Sequence, residues 1–244
     1  MTDGLPRTIA SIEERADAQL DRTLRVDPGA GHTDRQPPSN AFRLIPAGEF
    51  VAGIGPTRWL VKKVLSANIT AMLYGASATG KSFLAIDLAG CVAAGLDWHE
   101  HKTTQGPVVY LAGEGHEGIR KRLFAWALDR GIDLADLPLV VSNRAIRLDA
   151  AGVETVADAI AEAMPAPPAL IVIDTMHRHY VGEENNNDHF GAFIEGIDEL
   201  ARGLGASALL IHHTGHQGEK ARGASSQLGA FDFSYLVGKV EGQI

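Results

Sequence analysis

Short apolar runs alternate with segments of helical periodicity along most of the chain. An apolar run of about four to eight residues between turn formers is typical of a buried strand, whereas apolar residues every three or four positions are typical of an amphipathic helix. These patterns predict strands over 69–74, 107–112, 138–142, 169–175, 206–211 and 231–240. They predict helices over 83–94, 119–131 and 153–164, and a last one that ends near 202. The alternation indicates an α/β fold with a mostly parallel central sheet and helices on both faces.

Residues 1–40 follow a different pattern. Ser11–Glu14 is a capping-box sequence, and the apolar residues after it recur at helical spacing, which predicts one short amphipathic helix. Turn formers fill 27–40, which predicts a flexible linker. We therefore expect an N-terminal tail over 1–40 and one globular domain over 41–244. The tail helix either docks on a neighbouring subunit or belongs to a loosely ordered segment, and both alternatives stay open.

Composition narrows the class of protein. With 244 residues, of which 45% are hydrophobic, the chain can bury one substantial core. Its formal net charge of -8 argues against a surface that coats nucleic acid by bulk electrostatics, although that sum does not report on a local basic loop. The single cysteine, Cys91, allows no disulfide framework. Because no apolar run has the length of a membrane span and the start lacks a secretion signal, we expect a soluble cytoplasmic protein with no membrane partner.

The predicted strand 69–74 runs directly into a phosphate-binding loop. Gly75 to Ser82 reads Gly-Ala-Ser-Ala-Thr-Gly-Lys-Ser and fits G-x-x-x-x-G-K-[ST]. Its glycines let backbone N–H groups turn towards phosphate oxygens, and the start of the following helix adds a positive dipole end. Lys81 is placed to reach the β- and γ-phosphates, and Ser82 is the residue type that ligates Mg²⁺. The predicted nucleotide-binding residues here are Gly75, Ala76, Ser77, Ala78, Thr79, Gly80, Lys81, Ser82 and Phe83.

Two carboxylates follow predicted strands, at the edge where α/β sheets bind ligands. Glu114 stands between two glycines after the strand 107–112, and it is the candidate for orienting or deprotonating the attacking water. The alternative is an exposed loop carboxylate. Asp174 ends the apolar run 169–175 and is the candidate for holding a water in the Mg²⁺ shell, because a buried strand-end aspartate needs a cation or a hydrogen-bond partner.

A histidine pair and two basic segments complete the candidate chemistry. His212 and His213 end another strand, where a neutral imidazole suits a hydrogen bond to the γ-phosphate or to the attacking water. The alternatives are structural histidines or a zinc site, for which no cysteine partner stands nearby. Lys220 and Arg222 lie in a glycine-rich loop, where Arg222 suits charge stabilisation from a neighbouring subunit or belongs to a solvated basic loop. The charge run 120–122 is interpreted as a solvated helix face.

The ordered set of motifs resembles the RecA-like hexameric P-loop ATPases. It consists of 75–82, 112–115, 170–175, 212–215 and 220–223. Within these ATPases it is most similar to the AAA-type group that contains the plasmid replication helicase RepA, over about residues 41–240. The resemblance implies that Glu114 is the catalytic carboxylate, that Asp174 is the strand-end aspartate, and that His213, with His212 second, is the γ-phosphate sensor. It also implies that Arg222 is an arginine finger inserted by the adjacent subunit, with Lys220 as its partner.

The same resemblance implies ATP and Mg²⁺ as cofactors, a homo-oligomer in the form of a hexameric ring, and single-stranded DNA as a partner. The loops that would grip DNA are 180–189 and 216–225, of which the first is acidic and asparagine-rich here. We therefore expect a Mg-dependent ATP hydrolase of the helicase type that acts on DNA in replication or recombination of a phage, plasmid or mobile element. The alternatives are a nucleotide-gated DNA-binding or regulatory ATPase with little turnover, and a small-molecule kinase, for which the chain lacks an arginine-rich lid.

Overall fold

The computed structural model describes residues 44–52, 54–180, 182, 187–213 and 229–238. The expectations for the tail 1–40, for Lys220, Arg222 and the loop 216–225 lie outside the described residues. The chain divides into two compact units, Met1–Arg58 and Trp59–Ile244. In the first unit the described residues include helix α1 (Ala47–Ala52). The tail and domain limits of the sequence analysis stay a prediction.

The second unit alternates strands and helices. Its strands are β1 (Trp59–Val61), β2 (Leu65–Ser66), β3 (Thr70–Gly75), β4 (Val108–Ala112), β5 (Leu139–Val141), β6 (Leu170–Asp174), β7 (Ser207–His213) and β8 (Phe233–Leu236). Its helices are α2 (Lys81–Ala94), α3 (His116–Arg130), α4 (Ala150–Ala163), α5 (Met176–His179) and α6 (Asn187–Leu204), with a 3-10 turn at Leu134–Asp136.

Six of these strands form one parallel sheet in the order β5-β4-β6-β7-β3-β8. The strands β3 and β4 are successive in this sheet's sequence order, yet β6 and β7 lie between them. This reversal of direction creates a switch point, and ligands of open α/β sheets bind at the carboxyl edge beside such a point. The α/β fold with a parallel central sheet is therefore confirmed.

Apolar side chains from alternate positions of the strands form a core on each face of the sheet. Ile171 and Ile173 of β6 belong to the core beneath α4, α5 and α6. Leu170 and Val172 of the same strand belong to the core beneath α2, α3 and the β1–β2 hairpin. Because successive strand side chains point to opposite faces, a strand that is apolar at every position needs a helical layer on both sides.

The contact between α2 and α3 depends on a small residue. A Cβ atom on Gly90 would lie 2.5 Å from the ring of Trp126, so a side chain larger than hydrogen would separate the two helices. Cys91, next to Gly90, is fully buried, and burial together with the nearby charge of Asp87 raises the pKa of its thiol to about 11. The cysteine is therefore a protonated core residue.

The structure differs from the sequence-based expectation in three places. The β1–β2 hairpin was not predicted, because its strands are too short for a periodic signal. The stretch after Asp174, expected to be a polar loop as far as residue 189, contains the single helical turn α5 and the start of α6. The last strand was predicted over 231–240, whereas β8 spans only Phe233–Leu236. None of the described helices is long and apolar enough to cross a membrane.

Candidate active site

Four strands of the sheet end side by side. Gly75 at the end of β3 pairs with His213 at the end of β7, and Ala112 at the end of β4 pairs with Asp174 at the end of β6. Because parallel strands share a direction, the residues that follow all four strands emerge at the same edge. The phosphate-binding loop, Glu114, Asp174 and the histidine pair are brought together in this way.

The phosphate-binding loop leads from β3 into α2. Gly80 is the N-cap of α2 with a φ of 92°, and among the described residues no side chain caps the helix start. First-turn N–H groups of a helix lack intrahelical acceptors, so those of α2 are available to an anion. Gly75 is required by a close approach, because a Cβ atom there would lie 2.3 Å from the carbonyl oxygen of Val237. Val237 is itself held against β3, where its N–H donates to the oxygen of Tyr74 at 2.8 Å.

Lys81 lies beneath this loop and is only 2% exposed. Its Nζ donates to the carbonyl oxygens of Gly75 at 2.8 Å and Ala76 at 2.7 Å, and it lies 3.4 Å from Oγ1 of Thr79. Burial lowers the pKa of the ammonium, and the negative charge of Asp174 opposes that shift. Oxygen ligands thus hold the buried cation at the position that the phosphate-loop motif predicts.

Asp174 is buried at the end of β6, with 3% exposure. Its Oδ2 accepts a hydrogen bond of 2.5 Å from the hydroxyl of Tyr110, which is fully buried on β4. The peptide bond between Asp174 and Thr175 is cis. The sequence analysis missed Tyr110, although a signal was present: Tyr110 precedes Ala112 by two positions, and strand alternation places both on the same face.

Glu114 follows β4 and forms an ion pair. Nε of Arg178, on α5, donates to Oε2 of Glu114 at 2.8 Å, and the side chains of Arg178 and Glu114 are 54% and 44% exposed. Gly113 permits this approach, because a Cβ atom there would lie 2.5 Å from Cβ of Arg178. The sequence analysis did not identify Arg178, since nothing local shows that α5 lies against the end of β4.

His213 contributes a neutral imidazole to the same region. Burial lowers its pKa first and the positive charge of Lys81 lowers it further, while the carboxylates of Asp174 and Glu114 oppose the shift. Its Nδ1 is buried and has no hydrogen-bond partner among the described residues. His212 precedes it on β7, pairs in register with Tyr74, and does not line the cleft described next.

A cleft with a volume of about 610 Å³ unites these groups. Its lining residues are Ala78, Thr79, Gly80, Lys81, Ser82, Phe83, Glu114, Gly115, Ile119, Arg122, Asp174, Thr175 and His213. The expected residues Gly75, Ala76 and Ser77 belong to the part of the loop that precedes the lining.

Arg122 corrects one interpretation, because it does not belong to a solvated face. It lines the cleft, and its Cζ lies 4.7 Å from the centre of the Phe83 ring. Ile119 stands one turn earlier on α3 and lines the same cleft, so helical spacing was the signal that identified this face.

Comparison with known proteins agrees with this architecture. The family model described as "AAA domain" matches residues 35–219, which is more than half of the chain. A solved structure whose title describes it as an "ATPase Domain" superposes with a TM-score of 0.54 at 10% sequence identity, covering 95% of this chain and 84% of that chain. At that identity the similarity concerns the fold alone. With its phosphate-binding loop and parallel sheet, the chain belongs to the AAA-domain family and has the fold of a RecA-like P-loop ATPase.

Proposed function

We propose that this protein is a Mg²⁺-dependent ATP hydrolase. The observation that carries the proposal is the convergence of an ammonium, a hydroxyl, two carboxylates and a neutral imidazole on one cleft. These groups belong to Lys81, Ser82, Glu114, Asp174 and His213. Transfer of a phosphoryl group to water requires charge neutralisation, metal ligands and an oriented water, and this set contains a group for each task.

The loop 75–82 binds the phosphate groups of ATP in this proposal. The uncapped first turn of α2 supplies N–H donors, and Lys81 supplies a buried positive charge. The carbonyl oxygens that now accept from Lys81 Nζ are neutral. Phosphate oxygens form stronger, charge-assisted hydrogen bonds, so they replace those carbonyls when ATP binds.

Ser82 and Asp174 are the residues proposed to hold Mg²⁺. Both present oxygen donors to the cleft, the ligand type that Mg²⁺ prefers, and Asp174 is a buried acid that benefits from a nearby cation. The bound ion supplies neutralisation of charge on the β- and γ-phosphates. Tyr110 donates to Oδ2 of Asp174 and thereby holds the carboxylate in one orientation.

Glu114 and His213 are proposed to act on the water and on the γ-phosphate. Glu114 orients the attacking water or accepts its proton, since a carboxylate at the mouth of the cleft can serve as a general base. His213 forms a hydrogen bond with the γ-phosphate or the water and reports hydrolysis to the rest of the chain. Its depressed pKa keeps the imidazole neutral at pH 7, so it does not require a counter-ion.

The finer proposal concerns assembly and substrate. We propose that the protein forms a hexameric ring on single-stranded DNA in the cytoplasm and acts in replication or recombination. The ordered motifs and the RecA-like fold support this. Arg222 of a neighbouring subunit stabilises charge on the transferring phosphoryl group, with Lys220 as its partner, and the loops 180–189 and 216–225 contact DNA.

A second candidate is a nucleotide-gated regulatory ATPase with little turnover. One observation favours it: Arg178 holds Oε2 of Glu114 at 2.8 Å, so the proposed base already has a partner. In this alternative ATP stabilises assembly and a slow basal rate is the working state.

The test is ATP turnover by the purified protein with and without single-stranded DNA, together with its mass in solution. Lys81→Ala is the loss-of-function variant, and Lys121→Ala is the matched control, because the Lys121 side chain is 75% exposed. We expect DNA-stimulated turnover in a ring-sized species that Lys81→Ala abolishes and Lys121→Ala preserves. ATP binding and assembly without turnover, with or without DNA, would favour the regulatory alternative. An Arg222→Ala protein that assembles and keeps full turnover would contradict the finger in trans.

A further inference from the structure

The ion pair between Glu114 and Arg178 engages the carboxylate on which the proposed hydrolysis depends. Arg178 Nε donates to Glu114 Oε2 at 2.8 Å. Glu114 lines the nucleotide cleft, whereas Arg178 does not. The guanidinium therefore approaches Glu114 from outside the cleft and draws the carboxylate away from a water that would attack the γ-phosphate.

The backbone beneath Arg178 is fixed, so a change of partner must take place in its side chain. The neighbouring His179 is fully buried, and its Nδ1 donates to the carbonyl oxygen of Ile146 at 2.7 Å. The carbonyl oxygen of His179 accepts from the N–H of Leu148 at 2.9 Å. Gly113 leaves no space for movement of the Arg178 Cβ atom towards β4. Arg178 thus has an anchored Cα atom and a side chain that is 54% exposed.

We propose that Arg178 is a positioning residue for Glu114 that exchanges between two partners. In the first state it holds the Glu114 carboxylate and restrains water activation. In the second state its guanidinium binds a backbone phosphate of single-stranded DNA, which releases Glu114 to the cleft. This inference rests on the proposed function, because it assigns a regulatory contact to the same site.

The chemistry of the pair suits such an exchange. A solvent-exposed ion pair is weak, and its loss changes an equilibrium by about fivefold at most, so a phosphate at high local concentration displaces the carboxylate. Arginine binds phosphate in a bidentate fashion, which gives the phosphate an advantage over the single Nε contact to Glu114. Arg178 also stands directly before the loop 180–189, which the proposed function assigns to DNA.

The first experiment measures steady-state ATP turnover of the full chain with and without an oligothymidylate strand. We expect Arg178→Ala to raise turnover without DNA by about fivefold and to remove most of the DNA stimulation, with KM for ATP unchanged. Arg178→Lys should keep part of the restraint. Arg120→Ala is the control: Arg120 forms a comparable exposed pair with Glu117 at 3.2 Å, away from the cleft, and should behave as the wild type.

Equal loss of turnover with and without DNA in Arg178→Ala would overturn the inference, because it would make Arg178 a supporting catalytic group. A higher KM for ATP in that variant would overturn it too, since the phosphate partner would then be that of the nucleotide. Either result leaves the proposed hydrolase intact.

The second experiment needs no turnover and measures the affinity for the same strand by fluorescence anisotropy at fixed salt. Glu114→Gln should tighten DNA binding by about fivefold, because Arg178 no longer has a carboxylate partner. Arg178→Ala should weaken binding, and the double variant should match Arg178→Ala. An unchanged affinity in Glu114→Gln would overturn the exchange whatever the turnover. Tightening in a protein that never hydrolyses ATP would support the exchange and reject the hydrolase.

Discussion

Tyr110 and Asp174 stand 64 positions apart in the sequence and are joined by a hydrogen bond of 2.5 Å at the carboxyl edge of the sheet. Both residues are almost completely buried. Burial raises the pKa of Tyr110 well above its usual range, and the charge of Asp174 raises it further, so the phenol stays a donor. A buried carboxylate requires such a partner, and this one also fixes the orientation of a proposed metal ligand.

Tyr110→Phe should therefore lower the free energy of unfolding by about 1.5–3 kcal/mol, the range for hydrogen bonds to charged groups. Urea denaturation measures the change. Tyr235→Phe is the matched control, because the Tyr235 hydroxyl donates to a neutral acceptor, the carbonyl oxygen of Val64. Its loss should be smaller, about 0.5–1.5 kcal/mol. Equal losses in the two variants would show that Asp174 does not depend on the tyrosine.

Glu114→Gln should separate nucleotide binding from hydrolysis. If Glu114 orients or deprotonates the water, turnover should fall by about 10²–10⁴-fold while the affinity for ATP changes little. Single-turnover kinetics and equilibrium binding of a fluorescent ATP analogue measure the two quantities. Glu117→Gln is the control, since Glu117 is exposed on the next turn of the chain and does not line the cleft. Retention of turnover by Glu114→Gln would move the water-activating role to another residue.

Gly75→Ala should damage both the fold and the phosphate-binding loop. The new Cβ atom would meet the carbonyl oxygen of Val237 at 2.3 Å, and a backbone atom held by its own hydrogen bond to Tyr74 cannot move aside cheaply. We expect a lower melting temperature and weaker ATP binding.

Gly191→Ala provides the opposite sign for that comparison. Gly191 lies within α6, and among the described residues no neighbouring atom stands within 4 Å of the place that a Cβ atom would take. Alanine in a helix interior stabilises by about 0.5–1 kcal/mol relative to glycine. A Gly75→Ala protein as stable as Gly191→Ala would mean that the β3–Val237 contact is loose in solution.

Acid should destabilise the protein partly through His179. Burial lowers the pKa of His179 below its usual 6.5, with the hydrogen bond to Ile146 opposing the shift. The unfolded chain then takes up a proton at a higher pH than the native chain does. The stabilisation from a neutral His179 is therefore complete above pH 6.5 and is lost as the pH falls below that value.

Urea denaturation at about pH 7.5 and about pH 5.5 tests this, because one proton of difference changes the free energy of unfolding by at most about 1.4 kcal/mol per pH unit. His179→Asn should have a shallower dependence on pH than the wild type. His99→Asn, which alters a side chain that is 61% exposed, should keep the wild-type dependence. Parallel curves for the wild type and His179→Asn would assign the acid sensitivity to other groups.

Local signals in the sequence were sufficient for the elements and for the phosphate-binding loop. Apolar runs and helical spacing are properties of neighbouring residues, so they predicted the sheet strands and α2, α3 and α4 to within a few positions. The loop 75–82 contains its own glycines, lysine and serine, and its place between a strand and a helix needs no distant residue. Glu114, Asp174 and His213 could be proposed because each ends or follows a predicted strand, and parallel strands end at a common edge.

Tertiary structure alone decided which of these groups meet. The sheet order places β6 and β7 between β4 and β3, and this order brings Tyr110 to Asp174 and His213 beside the loop. It also lays α5 against the end of β4, where Arg178 pairs with Glu114. Contacts between residues so far apart depend on strand order and on the packing of whole layers, which no local pattern encodes. The sequence therefore determined the candidate chemistry, and the packing of the sheet determined the partners of each candidate group.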